Sequence, residues 1–407
     1  MADPRRIVIV GTGLAGASAA GALREQGFDG DVLLIGEQRH RPYELPALSK
    51  GILLGDTDDP DWVHEESFYA EKNIDLRLST RVTGVNVAQR TVDVEGKPEQ
   101  WDRLLLATGS TPRRLRLPGH DLDNVVRLRR LDEARALRKE LTEGRNIVII
   151  GAGWIGCEAA AAARKHGANV TLVDVLAQPL HRVLGDTMSG VFRTLHESNG
   201  VTFRLDTGIV EYVGEDGRAV GVRLEDDSLL SADLVLVAVG AYPRTELAQE
   251  AGLALSDDGG VQVDAALRTS APDVFAVGDI AAHAHPRYER RVRVEHWANA
   301  KDQGAHVAQN LLGAAEPFAA SPYFFSDQYD LGMEFRGLTD PASDELVVRG
   351  DQATREFIAF WLRDGAVQAA MNVNMWDDGD TLQALVDNRT RVEPAKLVDV
   401  DLASLVG

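Results

Sequence analysis

Val148-Ile149-Ile150-Gly151-Ala152-Gly153-Trp154-Ile155-Gly156 is an apolar run that ends in Gly-x-Gly-x-x-Gly. Almost the same pattern stands earlier, in Ile7-Val8-Ile9-Val10-Gly11-Thr12-Gly13-Leu14-Ala15-Gly16. Small residues suited to a helix follow each copy. Then comes a second apolar run closed by an acid: Leu33-Leu34-Ile35-Gly36-Glu37 in the first, Val170-Thr171-Leu172-Val173-Asp174 in the second. In such a unit the first glycine makes the turn, the second lets a pyrophosphate approach the backbone, and the third lets the helix pack close. The helix N-terminus points free N–H groups and a positive dipole end at the phosphates. One copy alone is weak evidence. Two copies, each with its acid roughly 25 residues on, predict a chain that holds two dinucleotides.

The repeat extends beyond the loops. Leu104-Leu105-Leu106-Ala107-Thr108-Gly109 reads as a buried strand ending in a small-residue turn, where backbone can approach a cofactor closely. Asp233 to Gly240 repeats it. Between loop and exit strand, Asp75 to Trp101 and Val201 to Ala232 alternate apolar and polar residues. Both read as antiparallel layers, with turns at Gly84 and Gly96 in the first and breaks at Gly208, Gly214, Gly217 and Gly221 in the second. Helices are expected over Ala17 to Gln26, Leu131 to Leu141 and Asn299 to Leu312. Arg41-Pro42 to Lys50, with prolines at 42 and 46, reads as a shaped loop. Val274-Phe275-Ala276-Val277-Gly278-Asp279 is a third short strand. From Tyr323 the texture changes to strands with glycine turns, a helix over Thr381 to Asp387 and a short polar tail. The expected fold is α/β: two Rossmann-like dinucleotide-binding domains and a C-terminal α+β domain. The expected boundaries are 1–115 with 242–320, then 116–241, then 321–407.

With 407 residues the chain is long enough for two or three domains with real cores. The formal net charge of −20 argues against nucleic acid and anionic membrane surfaces, which need excess Lys and Arg. One cysteine, Cys157, excludes an internal disulfide framework, a cysteine-ligated zinc site and an iron–sulfur cluster by count. It reads as a small packed residue. No metal site is expected. Arg5-Arg6 leads straight into the first strand, with no signal peptide and no apolar run of membrane-spanning length. A cytoplasmic protein, monomeric or weakly dimeric, is the natural expectation.

Several further motifs stand beside the two loops: Pro42-Tyr43, Pro46, Leu48-Ser49-Lys50, Ala107-Thr108-Gly109, Glu158, Gly278-Asp279, Trp297, and Phe324-Phe325-Ser326-Asp327-Gln328-Tyr329. With these the chain resembles, over essentially its full length, the FAD-dependent, NADH-linked ferredoxin reductases that feed bacterial cytochromes P450 and aromatic-ring dioxygenases. The resemblance implies that Gly11, Gly13, Leu14, Ala15 and Gly16 hold the FAD pyrophosphate and Glu37 its adenosine ribose. It places Val82 and Arg129 beside the adenine half and Asp279, after Gly278, on the ribityl chain. Trp297 would lie against the isoalloxazine. Arg41, Pro42, Ala107, Thr108 and Gly109 would border the same cofactor. Gly151, Gly153, Ile155, Gly156, Asp174 and Gly240 would hold NADH. Lys50 would sit near the flavin N5 and pair with Glu158.

Elementary chemistry agrees with these roles. An acid at the end of the second strand binds ribose hydroxyls and repels a 2′-phosphate, and Val175 and Leu176 follow it with no arginine. NADH is therefore expected over NADPH. A cation near N5 would stabilise the negative charge that grows as hydride arrives, and a paired Glu158 would hold that cation in place. Related disulfide reductases pass electrons on to thiols, but Pro42 to Lys50, where such thiols would fall, has none. The electrons are expected to leave directly, to a small iron–sulfur ferredoxin. Arg287, Arg290, Arg291 and Arg293 form a basic island in an acidic chain. It is a candidate docking patch, because local complementarity can steer encounter; an ordinary solvated hairpin is the other reading. Leu45 stands where the family commonly has arginine, Tyr323 and Phe325 where it has tryptophan, and Trp154 where it has phenylalanine. Two further activities fit the same architecture: a quinone or monodehydroascorbate-type reductase, and an NADH-responsive redox switch resembling apoptosis-inducing factors. The tail from Glu393 lacks the basic amphipathic helix of a membrane-bound NADH dehydrogenase.

Overall fold

A computed structural model describes residues 3–406. They divide into two compact units. One takes the chain up to Glu44, Asp61–Thr111 and Tyr242–Pro322; the other takes Leu45–Pro60, Pro112–Ala241 and the chain from Tyr323 onward.

The first unit is built on a five-stranded parallel sheet. Its order is Val274–Ala276, Arg103–Leu106, Arg6–Val10, Asp31–Ile35, Ile74–Arg77. Ile7, Ile9, Leu34 and Leu105 have no solvent exposure. Strands covered on both faces read as unbroken apolar runs for this reason, and each such side chain contributes about 1.5–3 kcal/mol through burial. Helix Leu14–Glu25 packs on helix Trp297–Leu311. Gly304 makes that approach possible, because a Cβ there would stand 2.3 Å from the Ala15 carbonyl oxygen. A separate antiparallel sheet joins Val82–Asn86, Thr91–Val94 and Lys97–Gln100.

The second unit repeats the plan. Its parallel sheet runs Val201–Arg204, Asn169–Val173, Asn146–Ile150, Leu234–Val237, Val125–Val126. The register repeats as well: Ile7 pairs with Val32 and Val10 with Leu106, as Ile147 pairs with Val170 and Ile150 with Val237. An antiparallel layer of Ile209–Glu215, Arg218–Leu224 and Leu229–Ser231 follows. The C-terminal segment adds a five-stranded antiparallel sheet, ordered Tyr323–Gln328, Leu331–Gly337, Ala366–Val373, Glu356–Arg363, Glu345–Asp351. No described helix is long and apolar enough to cross a membrane.

Several local expectations need correction. Ile74–Arg77 and Val201–Arg204 belong to the parallel sheets and not to the antiparallel layers. Gly84 lies inside a strand at a register shift and makes no turn, whereas Gly96 sits with φ +83° in a tight turn. The loop before Lys50 contains a helical turn, Pro46–Ser49, with proline at its start, where the missing N–H is harmless. The tail is not shapeless: it carries helix Pro394–Asp399 and a 3₁₀ turn at Leu402–Leu405.

Each unit buries a histidine that has consequences for acid stability. His196 and His283 are both pushed down to about 4, chiefly by burial. In the unfolded chain histidine takes a proton near pH 6.5. Between these values the unfolded state binds more protons than the native one, so stability falls as pH falls through the window. The melting temperature is expected to decline from about pH 6.5 to about pH 4, and less so in His283→Gln. An equal decline in both would remove His283 from the account.

Candidate functional site

The glycines of the first loop divide by cause. Gly11 has φ +124°, and a Cβ there would lie 2.0 Å from the Ala107 oxygen. A Cβ at Gly16 would lie 2.0 Å from the Gly11 oxygen. The fold itself therefore demands both glycines. Gly13 is different: only Gln38 Nε2, at 3.9 Å, comes near its absent Cβ. Its backbone, φ −81° and ψ −175°, suits any residue. The helix beginning at Leu14 has no side-chain cap and no acid in its first turn. Open space against free N–H groups is what a phosphate requires, so these residues fit an FAD pyrophosphate.

Around this loop the first unit places the other expected groups. Ala107 N–H donates to the Val10 oxygen at 2.8 Å, closing the exit strand against the first strand. The Thr108 hydroxyl donates to the Arg244 oxygen at 2.5 Å, and Arg244 N–H donates to the Gly109 oxygen at 2.9 Å. Arg244 Nη2 also meets Glu37 at 3.0 Å, while Arg81 lies 3.3 Å from the other Glu37 oxygen. Two arginines thus orient the carboxylate expected at the ribose. The Ser110 hydroxyl donates to buried Asp279 at 2.6 Å, and Gly278 N–H donates to buried Gln303 at 2.9 Å. Trp297 opens its helix, with the Lys301 ammonium 4.9 Å above its ring. Arg41 braces its own loop, donating to the His64 oxygen at 2.8 Å and lying 4.3 Å over Trp62. The Pro42 oxygen accepts from Val63, and Val82 is buried.

The second loop repeats the division. A Cβ on Gly151 would stand 2.4 Å from the Ala238 oxygen, and one on Gly156 would stand 1.9 Å from the Gly151 oxygen. Gly153 has nothing within 4 Å of its absent Cβ. Helix Trp154–Lys165 again lacks a side-chain cap and a first-turn acid. Ile155 beside it is 42% exposed, a large apolar surface at the loop. Asp174 accepts from Ala152 N–H at 2.6 Å through one oxygen and from Leu176 N–H at 2.9 Å through the other. It braces the loop while keeping lone pairs for a ribose. The Gly240 oxygen accepts from Arg113 N–H at 2.9 Å. Arg129 lies in this unit, whereas Val82 lies in the first; its N–H donates to Glu133 at 2.8 Å.

The second unit also buries an ion pair. Lys50 Nζ lies 2.9 Å from Glu158 Oε1, with Glu158 only 3% exposed. Ser49 donates to Glu158 Oε2 at 2.5 Å and Ser326 donates to Oε1 at 2.6 Å. The Lys50 ammonium also stands 4.9 Å over the Phe325 ring, a favourable cation–π placement. Trp154 packs edge-on against Phe324 at 5.1 Å. Cys157 is fully buried, and burial with the neighbouring Glu158 and Asp174 pushes its thiol well above its usual range. That thiol is inert. Sequence reasoning singled out Lys50, Glu158, Gly278 and Asp279 but missed Ser49 and Ser326 as supports of Glu158, Ser110 as the support of Asp279 and Gln303 as that of Gly278, since polar partners far apart in sequence leave no local pattern.

Two dinucleotide loops of this geometry define a two-nucleotide flavoprotein fold, and residues 5–304 match the family described as pyridine nucleotide-disulphide oxidoreductase. Residues 323–406 match the reductase C-terminal family. The chain belongs to the FAD-dependent NADH:ferredoxin reductases of the putidaredoxin reductase kind. It is 39% identical over 398 residues to the 5,5′-dehydrodivanillate O-demethylase ferredoxin reductase subunit of Sphingobium sp. (strain NBRC 103272 / SYK-6), covering 97% of this chain and 96% of that protein. It is also similar to the reductase in a covalent putidaredoxin reductase–putidaredoxin complex, with TM-score 0.95, 35% identity and coverage of 99% and 98%. The ferredoxin reductase for the CYP199A2 system from Rhodopseudomonas palustris gives TM-score 0.94 and 34% identity over 99% and 100% of the two chains.

Proposed function

We propose that this protein takes electrons from NADH through FAD and passes them to a small iron–sulfur ferredoxin that serves a cytochrome P450 or a ring-hydroxylating oxygenase. The observation that carries the reading is the buried Lys50–Glu158 pair in a chain that repeats the dinucleotide loop and holds one inert thiol. FAD, when bound, accepts a hydride and releases electrons singly. The protein's part is to bind, orient and stabilise charge. Segments 1–115 and 242–320 would hold FAD, through the loop at Gly11 to Gly16, Glu37 and Asp279. Segment 116–241 would hold NADH through Gly151 to Gly156 and Asp174, with 321–407 as the third domain. Lys50 would offer positive charge where negative charge grows, and Glu158 would orient it.

The test is anaerobic mixing with NADH and, separately, NADPH, followed by candidate ferredoxins. NADH should reduce the flavin at least about tenfold faster, because Asp174 would repel a 2′-phosphate. Equal rates would remove that role from Asp174. Reduction of quinones with no reduction of any ferredoxin would favour the quinone reductase reading.

The basic island is proposed as the ferredoxin's docking patch, and its four arginines are not equivalent. Arg293 is engaged by Asp258 at 3.0 Å and by Glu295. Arg291 donates to the Val263 and Ala282 oxygens, so it also holds its hairpin. Arg287 donates to the Ala319 oxygen. Exposed Arg290 is the cleanest probe. Arg290→Glu is expected to slow ferredoxin reduction about tenfold at low salt through lost steering, while ferricyanide reduction is unchanged. Equal slowing of both acceptors would sink the docking idea.

A further inference from the structure

The Lys50–Glu158 pair continues into a buried line of hydrogen bonds within the second unit. Side chains alternate along strand Tyr323–Gln328, so Ser326 and Gln328 share a face, and both are buried. Helix His181–Ser198 supplies His196, with no solvent exposure. Ser326 Oγ is 2.6 Å from Glu158 Oε1, and Gln328 Nε2 is 3.0 Å from Ser326 Oγ. His196 Nε2 is 2.9 Å from Gln328 Oε1, and the Tyr329 hydroxyl is 3.3 Å from His196 Nδ1.

The direction of this line is forced. An ionised carboxylate only accepts, so Ser326 spends its single proton on Glu158. Its oxygen must then accept, which turns the Gln328 amide nitrogen toward it and the amide oxygen toward His196. That oxygen accepts only, so His196 carries its proton on Nε2, leaving Nδ1 to accept from Tyr329. Burial pushes His196 down to about 4 and raises the Tyr329 phenol. Near neutral pH both are uncharged. Every donor dipole therefore points toward Glu158, and aligned donors in a low dielectric strengthen one another. The carboxamide at Gln328 has no labile proton to relay, so the line orients without conducting. The backbone adds a separate sign: Tyr329 has φ +56° in the two-residue turn before Leu331. A bulky residue adopts that conformation at a cost, and here it lets the phenol reach His196.

We propose that Tyr329, His196, Gln328 and Ser326 are positioning residues, a one-directional donor chain that fixes the Glu158 carboxylate and through it the Lys50 ammonium. This rests on the role proposed above for Lys50. Other groups face the same cluster. Partial desolvation raises the Asp327 carboxyl on the same strand, against the pull of Lys50 and with a further push from Glu158. The Cys157 thiol beside Glu158 is neutral, and Arg164 acts on the Tyr329 phenol.

The FAD-loaded protein allows two independent readouts. Nitrogen-edited NMR of His196 is expected to show a neutral imidazole with its proton on Nε2 from about pH 8 to about pH 5. A proton on Nδ1, or a cation at about pH 6, would overturn the chain whatever the enzyme's activity. The second readout is flavin reduction by NADH. Gln328→Glu preserves shape but presents an acceptor to Ser326 and draws its proton off Glu158; Gln328→Met removes the link. Gln328→Glu is expected to slow the limiting rate about tenfold, the effect of losing a bond to a charged group, and Gln328→Met about fivefold, the effect of losing a bond between neutral groups, with half-saturating NADH unchanged. His196→Gln keeps a donor and should stay within about twofold, whereas His196→Leu should fall with the Gln328 variants. Parent rates in Gln328→Glu and His196→Leu, or equal losses in the two His196 variants, would overturn the proposal. If NADH fails to reduce the parent itself, the functional reading falls alone and the NMR result decides the chain.

Discussion

Replacing Lys50 with methionine is expected to slow flavin reduction by NADH on the order of a hundredfold, the usual cost of removing one group aimed at developing charge. Methionine keeps the length and apolar stem of the side chain and removes the ammonium. Stopped-flow reduction at saturating NADH measures the effect directly. Stability should fall as well. Glu158 is 3% exposed, and Lys50 lies 2.9 Å away with its side chain 14% exposed. Breaking a buried pair on one side costs about 3–5 kcal/mol, since the remaining charge is left without its counter-ion. Ser49 and Ser326 still donate to Glu158 and offset part of that. Adding Glu158→Gln removes the stranded charge, so the double variant should recover most of the lost melting temperature and none of the lost rate. Recovery of both would make the pair a structural feature and leave the reaction without its cation.

The two loops support a second large effect, which differs between glycines three residues apart. Gly156→Ala places a Cβ 1.9 Å from the Gly151 oxygen, inside any possible contact, so the helix must move off the strand. That variant is expected to lose soluble expression or to melt far below the parent. Gly153→Ala meets no protein atom within 4 Å and keeps an ordinary backbone conformation. It should fold and melt like the parent. Its NADH affinity should nevertheless drop at least about tenfold, because a shift of about 1 Å at a phosphate is expensive and the middle glycine is where backbone meets pyrophosphate. Calorimetric melting and NADH titration separate the cases. A Gly153→Ala protein with parent affinity would mean that nothing approaches the loop there.

Both parallel sheets were legible in sequence because the relevant strands are buried on both faces and end in glycine loops. One edge strand of each was not. Ile74–Arg77 and Val201–Arg204 share one burial pattern, a buried residue, an exposed one, then two half-buried. A half-exposed edge strand alternates as an antiparallel strand does, and pattern alone cannot tell them apart. Helix His181–Ser198 escaped notice because Gly185, at φ +70°, interrupts its periodicity. The site divides in the same way. Lys50 and Glu158 carry charge in motifs that resemblance could reach. Ser326, Gln328 and His196 work through bonds spanning 168 and 132 positions, and no local spacing encodes such pairings.

Gly304 and Gly278 both press on Ala15 at the first loop, and strand Val274–Ala276 closes the sheet beneath it. These supports come from the last part of the first unit's chain. During synthesis, domains fold as their residues emerge, N-terminal parts first. Here the order is inverted. The parallel sheet of the second unit draws its strands from residues 125–237 and has all of them while the first sheet still lacks its edge. The second loop can thus mature on a ribosome that has not yet made the first loop's buttress. Completion of the first loop's support is in this sense a late event in the life of the nascent chain, although the loop is among the first residues made.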